Sequence, residues 1–528
     1  MTIGPSNRWQ HARESRTRYR RPGVYERLLP FHCDSSITAH VGAEGDQRRV
    51  GVRQYTHQEE GALRCLRVKV PRRDDVVAVR GESDRNTLFA SPNIQQPARA
   101  ASDEAWHVEL GVEPDDNVRD RVMRAVGGSD ESVLIGGPPC QAYSLVGRSR
   151  NRGNPEYDAN ADGRHTLYRE YLKVLTTHWP AVFVMENVKG LLSARLEEQS
   201  VLARILADLH EPEKALSDTH RTRNNRRYRI LALSTDVEGQ SELFESDCAD
   251  PKRFIVRCEN HGVPQARHRL ILLGVRGDID VPPSVMLQQL AYATTAGAIE
   301  DLPRLRSGLS DRGDSSVAWH EMQLATLKAS WFVHLQKYDA RVADRVQAAL
   351  RSRGHHRLTR GGEFFGGGVG PSVHNKWFVD PRMNGVANHA TRSHIAEDLK
   401  RYLFASAFAA EHKRSPTLSD FPVALLPAHR NVRKALKGAM FEDRFRVQLA
   451  DRPATTVTSH ISKDGHYYIH YDPSQCRSLT AREAARLQTF PDNYYFCGGR
   501  TAQYQQIGNA VPPYLAKQIA QIVSTILK

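Results

Sequence analysis

An α/β fold built on an open sheet with parallel strands is what this 528-residue sequence predicts. Three observations carry it. Short apolar runs, Val133 to Ile135, Ala181 to Met185 and Leu270 to Val275, have the length and composition of buried strands. Residues at helical spacing precede the first two: Val118, Val122 and Val126, then Leu167, Tyr168, Tyr171, Leu172 and Leu175. The first two runs also end in chemistry-bearing residues, Gly136-Gly137-Pro138-Pro139-Cys140-Gln141 and Glu186-Asn187-Val188. Open α/β sheets place their sites at the carboxyl ends of strands.

Length and composition set the outer bounds. A chain of this size supports two to four domains and a sizeable core. The net charge of +14 favours a polyanionic partner, nucleic acid being the usual one, over an inert basic surface. The seven cysteines are scattered and form no CxxC pair, which points to a reducing, cytoplasmic setting. No His/Cys ligand cluster stands out, so no metal is expected. No run is long and apolar enough to span a membrane, and the arginine-rich N-terminus lacks the apolar stretch of a secretory signal.

In chain order, residues 1–104 show no sustained periodicity beyond patches such as Val76-Val77-Ala78-Val79, and a disordered or loosely packed segment is expected. The Val118 helix stops at Gly127-Gly128 and feeds the Val133 strand. Gly136-Gly137 allow a tight turn, and Pro138-Pro139 then stiffen it. A lone cysteine is often a small buried hydrophobe. A thiol on so rigid a loop suits a reactive role instead. The polar loop Arg148 to Gly153 is either simply solvated or a basic flap over a phosphodiester. Glu186 can hydrogen-bond or protonate a ring nitrogen, or it can serve a helix dipole. Phe254-Ile255-Val256 reads as a further short segment. Gln265-Ala266-Arg267-His268-Arg269 then sets two arginines in alternation before the Leu270 strand. They point to one side, either as solvated charges or as bidentate donors to a phosphate or base carbonyl. The run Gly366-Gly367-Gly368-Val369-Gly370 has no apolar strand before it and reads as a recognition loop. Thr480-Ala481-Arg482-Glu483 is a capping box opening a helix through Leu487. A last helix follows Pro512-Pro513, with Leu515, Ile519, Ile522 and Ile526 as its core stripe.

The ordered motifs Gly137-Pro138-Pro139-Cys140-Gln141, Glu186-Asn187-Val188 and Gln265-Ala266-Arg267-His268-Arg269 resemble those of the cytosine-C5 DNA methyltransferases. Arg452-Pro453-Ala454-Thr455-Thr456 and Gln506-Ile507-Gly508-Asn509-Ala510-Val511-Pro512-Pro513 continue the resemblance, which covers about residues 105–528. It implies an S-adenosylmethionine-dependent methyltransferase (Rossmann-like) domain plus a smaller target recognition domain. The corresponding intervals are 105–277 for the first catalytic part, 278–451 for target recognition and 452–528 for the C-terminal catalytic part.

The resemblance also implies the chemistry. The Cys140 thiolate would attack C6 of a flipped-out cytosine, Glu186 would hold its N3 and amino edge, and Arg267 its carbonyl. The methyl would come from S-adenosyl-L-methionine, held in part by Leu167, Asn509 and Ala510. The partner would be double-stranded DNA, in a restriction-modification system whose endonuclease acts on the same site without a stable complex. The sequence departs from the family at its start, where a Phe-x-Gly-x-Gly cofactor loop is expected. Leu88-Phe89-Ala90-Ser91 lacks the glycines, and Ala39 to Gly45 lacks the aromatic residue. A segment replaced by a shifted reading frame would account for this. Two alternatives to an active DNA enzyme follow: a catalytically impaired DNA-binding relic without that loop, and an RNA methyltransferase of the same superfamily.

Overall fold

The computed structural model describes residues 37–40, 105–106, 108–138, 168–196, 199–216, 226–234, 250–283, 285–310, 313–352, 354–366, 375–428, 432, 443–463 and 465–528. Cys140, Leu167, the Arg148 to Gly153 loop, the Val76 patch, Leu88-Phe89-Ala90-Ser91 and Gly367 to Gly370 lie outside the described residues.

The sheet begins with β1 (Ile37–His40), antiparallel to β2 (Val133–Gly136). Helix α1 (Asp115–Val126) precedes β2 and ends at Gly127, whose φ of 63° is the left-handed cap a glycine supplies. Helix α2 (Tyr168–His178) leads into β3 (Val182–Val188), which runs parallel to β2 with Val133 opposite Val182 and Gly136 opposite Met185. The parallel pair is the expected one. After α3 (Val201–His210) come β4 (Tyr228–Leu231), β5 (Ile255–Arg257), the two-residue β6 (Gln265–Ala266) and β7 (His268–Arg276). Strand β7 is antiparallel to β3, with Glu186 opposite Ile271 and Val188 opposite Arg269. Strands β4 and β5 pair with opposite ends of the other edge of β7.

Period-two alternation sorts the core onto the two faces of this sheet. Phe183, Met185, Leu270 and Leu272 pack under α2 and α3, on Tyr171, Leu172, Leu175, Leu202 and Ile205. Val182, Val184, Ile271, Leu273 and Val275 pack under α10 (Pro513–Ile526), on Leu515, Ile519, Val523 and Ile526. The last helix therefore returns to the sheet along its apolar stripe, as its spacing predicts.

Between these strands and α10 lie two further cores. Helices α4 (Ser316–Ala325), α5 (Ser330–Tyr338), α6 (Ala340–Leu350) and α7 (Ala396–His412) bury Trp319, Trp331, Phe332, Val346, Tyr402 and Phe404. The second core joins Ala298, Ile299, Leu302 and Val386 to Val457, Leu479, Ala484, Leu487, Phe490, Tyr504 and Ile507. This packing runs across residue 451, so residues of the 278–451 and 452–528 intervals share one core. A strand does precede the glycine run: β8 (Gly361–Gly366), antiparallel to β9 (Gly385–Ala390). Its own two leading glycines and half-buried pattern hide it from a search for apolar runs. No described helix is long and apolar enough to cross a membrane.

Candidate active site

The carboxyl ends of the parallel pair β2 and β3 bring Gly137-Pro138 beside Glu186-Asn187. Asn187 is 5% exposed and donates from Nδ2 to the Pro138 carbonyl at 3.1 Å. Its Oδ1 accepts the Val188 amide at 2.8 Å. One buried amide side chain thus ties the last described residue before Pro139-Cys140 to the neighbouring strand. A buried polar group that meets its bonds locally fixes geometry, because leaving any of them unmade is costly. Gly137 is required by close approach: a Cβ there would lie 3.2 Å from the Glu186 carbonyl and 3.4 Å from Glu186 Oε2. The Glu186 carbonyl and carboxylate thus lie against Gly137, just past the end of β2.

Glu186 lies on the same sheet face as Arg269, two residues off its register partner Ile271. Arg269 Nε donates to Glu186 Oε1 at 2.9 Å, and both side chains are largely but not wholly covered, 15% and 24% exposed. Arg269 Nη1 donates to the His268 carbonyl at 2.9 Å, while His268 Nε2 meets Glu259 Oε1 at 2.7 Å. The carboxylate is oriented by a guanidinium and still reachable, as a group that must grip a planar ring edge needs to be.

Arg267 goes elsewhere. The Arg267 amide bonds back to the Gln265 carbonyl at 2.9 Å, a three-residue turn that breaks the extended run between β6 and β7. The two arginines make different bonds, Arg267 to backbone carbonyls of distant segments and Arg269 to Glu186, while Arg267 stays within electrostatic reach of both Arg269 and Glu186. Arg267 is 2% exposed, and it donates from Nη1 to the Val457 carbonyl at 2.9 Å and from Nη2 to the Gly508 carbonyl at 3.3 Å. Burial, with Arg269 nearby, pulls its pKa down to about 9, and it stays protonated at neutral pH.

Gln265 continues this clasp. Its Oε1 accepts the Val457 amide at 2.7 Å, and its Nε2 donates to the Leu487 carbonyl at 3.1 Å and Gln488 Oε1 at 2.9 Å. Gln488, buried at the end of α8 (Ala481–Leu487), donates to the carbonyls of Ile507 and Ala510 at 2.7 and 3.2 Å. Strand β6 also pairs in parallel with β10 (Ala454–Thr455), and Thr456 Oγ1 donates to the Ala266 carbonyl at 2.7 Å. Three sequence motifs far apart in the chain are thus bonded into one block. Helix α9 (Arg500–Asn509) brings Asn509 and Ala510 to that block, Asn509 half-buried and Ala510 3% exposed.

Of the expected site residues, Glu186, Arg267, Asn509 and Ala510 are described, and Cys140 and Leu167 lie outside the described residues. Arg267 sits in the block that holds Asn509 and Ala510, while Arg269 is the arginine on Glu186. Arg269 meets Glu186 because it lies two residues from Ile271, the register partner of Glu186, a register the sequence does not show. Asn187 and Gln488 carried no sequence signal, because a side-chain amide bonded to distant carbonyls has no periodicity.

A family model described as C-5 cytosine-specific DNA methylase matches residues 113–213 and 251–525. Among curated relatives, the type II methyltransferase M.Bpa9945I of Bacillus paralicheniformis is 32% identical over 399 residues, covering 75% of this chain and 70% of the relative. The type II methyltransferase M.DdeI of Desulfomicrobium norvegicum is 26% identical over 414 residues, covering 75% and 73%. The DNA (cytosine-5-)-methyltransferase M.ApeKI of Aeropyrum pernix is 27% identical over 445 residues, covering 76% and 83%.

Proposed function

The chain belongs to the C-5 cytosine-specific DNA methylase family, and on that premise we propose that it methylates C5 of a cytosine at a specific site in duplex DNA. The observation that carries the proposal is the Glu186–Arg269 pair, set beside a Pro138 loop that Asn187 pins. Glu186 would hold the N3 and amino edge of the flipped base and stabilise charge developing at N3. Arg269, with Nε on Glu186 and Nη1 on the His268 carbonyl, would offer Nη2 to the base carbonyl, the role the resemblance implies for Arg267. Cys140, two residues beyond Pro138, would supply the sulfur nucleophile toward C6. Arg267, Gln265 and Gln488 would hold the C-terminal end of α9 in register with the strand ends.

The methyl donor of the reading is S-adenosyl-L-methionine, which supplies an electrophilic methyl group when bound. Among the described residues, Asn509 and Ala510 fit one end of it: they close a helix whose last carbonyls are already fixed by Arg267 and Gln488. The relatives' description as type II methyltransferases supports a protective role beside a restriction endonuclease acting on the same site.

Replacing the nucleophile tests the reading. Cys140→Ser should abolish methyl transfer to duplex DNA and leave DNA binding intact, since a hydroxyl is a far poorer nucleophile at neutral pH and base flipping needs no thiol. Turnover near that of the wild type in the serine variant would refute a covalent mechanism.

A further inference from the structure

The far end of α9 from Asn509 carries charge that the reaction does not use. Arg360 and Arg500 each direct Nη2 to one backbone oxygen, that of Thr391, at 3.2 and 3.1 Å. Two guanidinium groups on one carbonyl repel each other. Arg392 adds a third charge beside them. It is 8% exposed, bonded to the carbonyls of Ile461 and Lys463, and its Cζ lies 5.0 Å from the ring centre of Tyr504 on α9. Arg306 is a fourth.

Asp314 takes Arg306 at 2.6 Å and Arg360 at 3.0 Å, and so offsets part of this charge. Glu363 Oε2 instead accepts from Asn388 Nδ2 and the Tyr495 hydroxyl. No carboxylate among the described residues makes an ion pair with Arg500. Arg500 also stands in the first turn of a ten-residue helix whose N-cap, Gly499, offers no side chain, so the helix dipole opposes its charge. Desolvation makes it hold its proton less tightly than an ordinary arginine, with Arg392 and Arg360 adding to that and Tyr504 and Glu363 opposing it. Yet Arg500 is exposed and within reach of a ligand.

We propose that Arg360 and Arg500 form a clamp for one phosphodiester group of the bound duplex. The proposal rests on the reading that the chain acts on DNA. An anion between the two guanidinium groups would relieve their repulsion and the opposed helix dipole together, and bidentate arginine donors match a phosphate's oxygens. Helix α9 spans roughly 15 Å. That length corresponds to about four base-pair steps at a rise of ~3.4 Å. A contact at Arg500 would therefore fix the backbone a few steps from a base held at Glu186, setting register without reading sequence.

The test is duplex affinity as a function of salt, measured by fluorescence anisotropy with a labelled duplex of arbitrary sequence. Losing one neutralised phosphate makes the plot of log affinity against log salt shallower by about 0.9. The double variant Arg360→Gln/Arg500→Gln should show that change and bind about tenfold more weakly at low salt, equally on unrelated duplexes. Arg500→Lys keeps the charge and should keep the slope. A thermal melt of each variant reports folding, and if the double variant is unfolded the single variant Arg500→Gln carries the test: it should bind more weakly with a shallower slope, and a wild-type slope in it would overturn the clamp. A double variant that retains the wild-type slope would overturn the clamp. Loss of inorganic phosphate binding with duplex binding unchanged would overturn it too, by making the arginines a site for free anions. Wild-type protein that shows no salt-dependent duplex binding would remove the DNA reading itself, and the clamp with it.

Discussion

Arg267 and Arg269 are two residues apart, and the structure gives them opposite kinds of work. Arg269 touches a reachable carboxylate. Arg267 is bonded to two buried backbone carbonyls from distant segments. Replacing each with glutamine should therefore fail differently. Arg269→Gln should melt near the wild type and lose turnover by about 10²–10³-fold, the scale of one donor aimed at developing charge. Arg267→Gln should lower stability by about 2–5 kcal/mol, because it removes the donors of two buried carbonyls, those of Val457 and Gly508. Turnover and urea denaturation of both variants check this, and the reverse pattern would return the base-contacting role to Arg267. The sequence showed that both arginines belong to one motif. It could not show which of the two would bond to Glu186 and which to distant carbonyls, because the 265–267 turn between them is stabilised by pairing with β10, nearly two hundred residues on.

At the scale of elements, the sheet was legible wherever burial imposed a period. Strands β2, β3 and β7, helix α2 and the stripe of α10 all carry apolar residues at the spacing their packing demands. The Thr480 capping box was legible for the same local reason, and its reciprocal bonds are present: Glu483 N to Thr480 Oγ1 at 3.2 Å and Thr480 N to Glu483 Oε2 at 2.8 Å. Strand β8 was not, since Gly361-Gly362-Glu363-Phe364-Phe365-Gly366 shows no alternation of burial and leans on β9 for its definition. Gly508 shows how a motif residue can be structural. A Cβ there would lie 2.3 Å from both the Ser459 amide nitrogen and the Thr458 carbonyl carbon. Helix α9 therefore packs directly on the 458–459 backbone, and neither atom belongs to a side chain that could swing aside. Gly508→Ala should cost at least about 1–3 kcal/mol by overpacking and displace the end of α9. Chemical denaturation reads the loss; an alanine variant as stable as the wild type would mean the helix can retreat without penalty.

For the whole molecule, the order of motifs told more than their positions did. Motifs from residues 137 to 513 converge because the chain leaves the sheet after β7, builds two further cores, and returns through β10 and α10. The sequence could place the outgoing and returning segments. It could not show that the returning segment packs with Ala298, Ile299, Leu302 and Val386 before reaching the sheet, since apolar residues do not record which partner they meet. Net charge gave the class of partner, and the fold shows where part of that charge is gathered, around Thr391. The central proposal is that Cys140, Glu186 and Arg269 act together on a cytosine in duplex DNA so that C5 receives the methyl group. The most direct measurement supplies the purified chain with S-adenosylmethionine labelled in its methyl group, together with duplex DNA and, separately, transfer RNA. The product is then digested and the labelled base identified by chromatography and mass. Label is expected in DNA alone, as 5-methylcytosine. Label on an exocyclic amino group, label in the RNA, or no transfer to any duplex would contradict it.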